Sequence, residues 1–136
     1  MIRDDIFVKG ANCETLEAFA SRICSDYGLQ SPEIRFSDSV AGGKYARIRV
    51  LGTILTFFET DDPRFLDFDY CIALSAHSKM NGLPDVDFGG LADRMCWAFA
   101  LDGLQVVRTP AAGKIGGTIY RYSVDDNNRV SIASQS

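Results

Sequence analysis

Histidine is nearly missing from this chain of 136 residues: His77 is the only one, and tryptophan is likewise represented once, by Trp97. A zinc centre needs three or four ligands. With one imidazole, and with Cys13, Cys24, Cys71 and Cys96 scattered without finger or ribbon spacing, no ligand set is written into the sequence. His77 stands among Ser75, Ser78 and Lys79, yet no G-x-S-x-G turn accompanies these serines, so a nucleophile–base pair has no strained elbow to sit on. The same spread of cysteines argues against disulfides. Cys13 and Cys24, if placed on one helix, would be about 16 Å apart at 1.5 Å per residue, beyond bridging distance. The four read as buried free thiols, which suits a reducing compartment.

Other shortages exclude whole classes of function. No apolar run approaches the roughly 20 residues of a membrane-spanning helix, and Asp4 and Asp5 stand where a secretory leader would be basic and then apolar. The expected address is the cytoplasm. Bases are fewer than acids, 14 against 18, for a net charge of −4, and they form no stripe, so nucleic acid is not an expected partner. Gly113-Lys114 lacks the phosphate-loop glycine five positions upstream, where Arg108 stands. Gly89-Gly90 at a helix start is flanked by Asp85 and Asp87, which would repel an anion.

What the chain does have is apolar material, 46% of it, at the usual size of one domain. Ile6-Phe7-Val8 forms a short apolar lead. Asn12 can cap a helix in which Leu16, Phe19, Ala20, Ile23 and Tyr27 share a face, with Gly28 ending it. Residues 33–37 alternate as an edge strand with Ile34 and Phe36 on one side. Over 44–59 a Gly52-Thr53 turn predicts a hairpin pairing Val50 with Leu55 and Ile48 with Phe57, with Arg49 opposite Thr56 and Arg47 opposite Phe58 on the other face. After Asp61-Asp62-Pro63, alternation predicts a strand over 66–76, with Leu66, Phe68, Tyr70, Ile72 and Leu74 inward and Asp67, Asp69 and Cys71 outward. Asp67 and Asp69 would then lie about 7 Å apart on one face. There they could hold a divalent cation with Glu59 or Asp61, but cross-strand pairing with Arg47 and Arg49 accounts for them without a metal.

A second helix is expected over 88–103, closed by Gly103. Leu91, Ala92, Met95, Cys96 and Phe99 form its inward stripe, and Trp97 and Leu101 fall on the far side. One core receives one stripe, so the second face is expected to meet another chain, such as a second copy, with Tyr120 or Tyr122 joining that interface. Residues 105–109 can be extended, and two strands, 118–124 and 129–133, close the chain around Asp125-Asp126-Asn127-Asn128. The expectation is one α+β domain over 1–136 with an antiparallel sheet, in the order α-β-β-β-α-β-β.

That order, in a small acidic chain, resembles the class I chaperones of type III secretion systems, whose elements run α-β-β-β-α-β-β-α. The similarity spans Leu16 to Ala133. It includes DYGL (26–29), RIRVLGTILTFFE (47–59), FDYCIALSA (68–76), GLP (82–84) and GGTIYRYSVDDNNRVSIA (116–133). The family's closing helix has no counterpart after the last strand. The resemblance implies a cytoplasmic homodimer, without catalytic step or cofactor, that holds an extended segment of a secreted effector protein. It also implies dimer contacts from the second helix and neighbouring strands, where Trp97, Leu101, Tyr120 and Tyr122 lie. For the effector segment, the candidate residues are Ile34 and Phe36 on the edge strand and Leu51, Ile54 and Phe58 on the outer sheet face. Two other readings stand beside it. One is an immunity protein that covers a basic toxin with the acids of 59–87, and the other is a small metal-dependent enzyme built on Asp67 and Asp69.

Overall fold

The computed structural model describes residues 3–10, 14–76, 89–110 and 117–135. Eight strands form one antiparallel sheet in the order β2-β3-β4-β5-β1-β6-β7-β8. In chain order these are β1 (Asp4–Lys9), β2 (Glu33–Phe36), β3 (Lys44–Val50), β4 (Thr53–Glu59), β5 (Tyr70–Ala76), β6 (Gln105–Thr109), β7 (Ile119–Val124) and β8 (Val130–Gln135). Two helices, α1 (Leu16–Asp26) after β1 and α2 (Gly89–Leu101) after β5, pack on one face of the sheet. The α+β class and the antiparallel sheet are as expected. The order is not, because the chain begins with a strand.

That first strand is the main correction. Ile6-Phe7-Val8, read as a lead, is β1, inserted between β5 and β6 with Ile6 opposite both Ile72 and Arg108. Its apolar run is continuous because both of its faces are covered: Ile6 and Val8 lie in the helix-side core, and Phe7 in a second cluster on the opposite face. A strand that pairs with neighbours far along the chain has no local signal beyond such a run.

Asn12 lies outside the described residues. Thr15 caps α1 instead, its hydroxyl accepting from the Ala18 amide at 3.2 Å. Gly28, at φ +69°, takes the left-handed turn that ends the helix. Under α1, Phe19 stacks on Tyr70 with ring centroids 4.5 Å apart and meets Phe57 edge-on at 6.2 Å.

The β3–β4 hairpin forms in a different register. Leu51 and Gly52 make the turn, both at positive φ, so that Val50 faces Thr53, Ile48 faces Leu55 and Ala46 faces Phe57. This is the type I′ geometry that matches the twist of the flanking strands. Each partner moves by two residues, an even step, so every side chain keeps its face. Ile48, Leu55 and Phe57 remain in the helix-side core.

The strand expected over 66–76 begins only at Tyr70. Asp62 caps a turn of 3-10 helix, Pro63–Phe65, through the Arg64 amide. The turn carries Phe65 and Phe68 onto the face opposite the helices, against Phe7, Cys71 and Val107. Leu66 is exposed rather than inward, and Cys71, placed outward by alternation, is buried in this second cluster.

Candidate functional site

α2 is held on the sheet by Ala92, Cys96, Phe99 and Ala100, all buried. On its β7 side Asp93 accepts a hydrogen bond from the Tyr122 hydroxyl at 2.7 Å. Burial, then that bond, pushes the Tyr122 phenol up. Burial likewise raises the Cys96 and Cys71 thiols, which makes both poor nucleophiles. Beneath the same helix Arg108 reaches Asp4 at 3.2 Å and lies 5.7 Å from the Tyr120 ring centre. Tyr122 is therefore inside the chain's own core and is no part of an outward interface, while Tyr120 is half-buried against that core. Trp97 and Leu101 keep the outer position expected of them, 40% and 50% exposed.

On its other side α2 stands apart from α1, and between them opens an apolar cleft of about 190 Å³. Ile23 and Tyr27 of α1, Val50 of the hairpin, and Leu91, Met95 and Phe99 of α2 line it, with Ala98 and Arg94 also along its wall. Tyr27 is fixed from the polar end, where its hydroxyl donates to Asp102 at 2.6 Å, and burial followed by this bond raises its pKa. The cleft exists because α1 and α2 do not close on each other over the β3–β4 hairpin, whose Val50 and Leu55 face into it. Leu91 and Met95 belong to the periodic apolar set, yet they line this cleft and stay half-buried. Periodicity reads such residues as core, and only the spacing of two helices on a shared sheet distinguishes them.

The five residues expected to take a partner do not form one surface. Ile34 packs half-buried against the helix-side core, and Phe36, farther along β2, is 81% exposed. Leu51 projects at the hairpin tip, 97% exposed. Ile54 and Phe58 lie on the opposite face, where Phe58 packs against the second cluster and its ring centre is 5.9 Å from that of Tyr45. Alternation assigns faces correctly here but cannot say that α1 covers only part of one of them.

The carboxylates are also arranged differently. Asp67 and Asp69 precede β5 rather than lying within it. Asp67 is 3.5 Å from the Lys9 ammonium, and Asp69 accepts from the Gly10 amide at 2.9 Å. Arg47 approaches Glu33 of β2 at 3.9 Å, and on β3 Arg47 and Arg49 stand opposite Thr56 and Ile54 of β4, not beside the segment that carries Asp67 and Asp69. Among the described residues no group of three or more histidine, cysteine or acidic side chains is placed to hold a metal ion. Nearby, Asp5 is buried and takes two bonds from Arg3, at 2.8 and 2.9 Å; desolvation still holds its carboxyl above the usual range. Asp62, bonded by Arg64, is held below it. His77, Ser78, Lys79, Asp85, Asp87, Gly113 and Lys114 lie outside the described residues, and among those described no helix is long and apolar enough to cross a membrane.

Comparison with protein-family models, curated proteins and solved structures finds no match to this chain.

Proposed function

We propose that this chain is a protein-binding domain without a catalytic step, a cytoplasmic secretion chaperone that holds an extended segment of an effector protein. The observation that supports this reading is the cleft between α1 and α2. At about 190 Å³ it exceeds the roughly 150 Å³ of an engineered apolar cavity that binds a benzene ring. Val50 in its wall adjoins the exposed Leu51 in sequence, so an apolar side chain of a passing segment could be anchored while the backbone runs over the surface. Arg94 at its wall favours a segment with an acidic residue next to the apolar anchor. In the same proposal the outer face of α2, with Trp97 and Leu101, belongs to a homodimer.

The test is selection from a random library of displayed peptides, followed by anisotropy titration of the selected sequences. Selected peptides should be apolar with neighbouring acids, bind in the unfolded state, and keep their affinity within a few-fold as salt rises, since apolar contacts are not screened. Ala98→Phe, which fills the cleft from a half-buried position on α2, should weaken them at least tenfold. Selection of basic, salt-sensitive ligands would instead favour the toxin-neutralising reading and its acidic surface. Peptides indifferent to Ala98→Phe would remove the cleft from the function.

A further inference from the structure

Among the described residues the eight-stranded sheet has two edges, β2 and β8, and each presents backbone N–H and C=O groups that no described strand pairs. The two are protected very differently. β2 is four residues long and carries Glu33 and Arg35, a short charged edge of the kind that discourages pairing. β8, Val-Ser-Ile-Ala-Ser-Gln, is six residues long and contains no charge, proline or glycine. Its hydrogen-bonding direction follows from its neighbour. The Asp125 amide donates to the Arg129 carbonyl at 2.9 Å, so residues in step with Arg129, namely Ser131, Ala133 and Gln135, bond toward β7. Val130, Ile132 and Ser134 therefore turn their N–H and C=O groups outward. Ile132 lies opposite Tyr122, which is buried under α2, so the side chains of these same three residues rise on the helix-bearing face.

We propose that β8 pairs antiparallel with β8 of a second copy, about a two-fold axis through Ile132, joining the two sheets into one. In that register Ile132 faces its own copy, Val130 faces Ser134, and Ser131 faces Ala133. Each outward residue gains both of its missing backbone bonds. No like charges meet, because Arg129 falls opposite Gln135. This self-complementarity favours a second copy over an unrelated strand.

A six-residue strand pair alone buries less than the roughly 800 Å² per partner of a stable interface, so further surface must join it. The geometry supplies it from α2. That helix packs over β6 and β7, about two strand spacings of ~4.8 Å from the axis, which sets the two copies of α2 about 20 Å apart. Direct helix packing needs 8–10 Å. Long side chains on the β7–β8 side must fill the gap, and Trp97 is there: it lies one turn beyond Asp93, whose bond to Tyr122 turns that flank toward β7. With Ile132, itself 42% exposed, it forms apolar surface on one side of the molecule. The proposal does not rest on the reading of the cleft.

Sedimentation velocity over about 5 to 200 µM should show a dimer that dissociates on dilution. Ser134→Pro removes only an outward N–H, so the monomer loses no bond to β7 and stays folded, but the dimer should weaken at least tenfold. Ile132→Lys places like charges face to face and should give a monomer, and Trp97→Ala should weaken the dimer severalfold. Register is read by cysteine pairs: oxidised Ser131→Cys/Ala133→Cys should form a covalent dimer, because these two positions face each other at about 4.5 Å between Cα atoms. A chain monomeric at every concentration overturns the proposal. So does a dimer indifferent to Ser134→Pro and unable to cross-link, which would place the seam on α2 alone. A monomer whose β8 amides gain exchange protection only with an added peptide would overturn it as well and assign the edge to a client.

Discussion

Replacing Tyr122 with phenylalanine tests the bond that ties Asp93 of α2 to β7. Tyr122 is buried, and its hydroxyl donates to Asp93 at 2.7 Å, a short hydrogen bond to a carboxylate. Bonds to charged groups contribute about 1.5–3 kcal/mol net, and Asp93 is half-exposed, so water replaces part of what the phenol gave. The lower end applies, about 1.5 kcal/mol, with no cavity term because only one oxygen is lost. For 136 residues at ~2.1 cal/mol/K each, the melting entropy is about 0.29 kcal/mol/K, so Tm should fall by about 5 °C. Asp93→Ala should cost a similar amount, and the double variant little more than either, giving a coupling of about 1 kcal/mol in the cycle. Thermal unfolding by circular dichroism gives the energies. Because Trp97 is the only tryptophan, its emission reports α2 locally and should shift red in the folded variants. A coupling under about 0.3 kcal/mol with unchanged emission would refute a stabilising role for this bond in holding α2 on β7.

Phe19, fully buried between Tyr70 and Phe57, should cost about 3–5 kcal/mol as Phe19→Ala, a large part of a small domain's stability, and denaturant unfolding should show a lower midpoint at unchanged slope. Two carboxylates at one end of the sheet should pull in opposite directions with pH. Asp62 is held below its ordinary value by Arg64, so its contribution is present above the unfolded pKa and disappears as pH falls through the folded one; Asp62→Asn should destabilise near pH 7 and progressively less as pH falls below the unfolded value. Asp5 is held above its ordinary value by desolvation, so the folded state binds its proton more tightly and stability falls as pH rises between the unfolded and folded values. Asp5→Asn should abolish that fall, as read from Tm between pH 3 and 7.

The periodic elements were legible from residues alone. α1, α2 with its inner stripe, the β3–β4 hairpin and the closing strand pair all follow from spacings of 3.6 and 2. The failures share a cause. β1 has no alternation to read, because α1 and α2 cover one face and Phe65 and Phe68 the other. The 66–69 stretch does alternate, but Asp62-Pro63 starts a 3-10 turn that carries it off the sheet, and a capped turn outweighs a pattern that could be served only by pairing with β4. The hairpin turn lies one position earlier than a glycine-first turn would place it, because Leu51 accepts positive φ and lets Gly52 be the second residue. The cleft was invisible for a different reason. Its residues carry an ordinary core signature, and whether such a residue touches a helix or a gap depends on two segments more than 60 residues apart.

The two edges of the sheet also bear on why the exposed tryptophan stands where it does. A sheet extended through β1 puts β2 and β8 at opposite ends, with α1 near the first and α2 near the second. At the β2 end the exposed apolar residues are interrupted by Glu33, Arg35 and Lys44, and Lys44 is tied to Glu17 of α1 at 2.7 Å. Charges so placed discourage a further strand from pairing there. At the β8 end nothing charged separates Val130 from Gln135, and the nearest helix turns its one tryptophan outward. Surface apolar residues scattered singly need no explanation, but an uncharged strand edge beside a half-exposed tryptophan is a combination that invites uncontrolled pairing unless a specific partner covers it. Pairing through β8 satisfies both features with one contact. It also leaves the cleft between α1 and α2 open on each copy, so that assembly and client binding would use opposite flanks of the same helix.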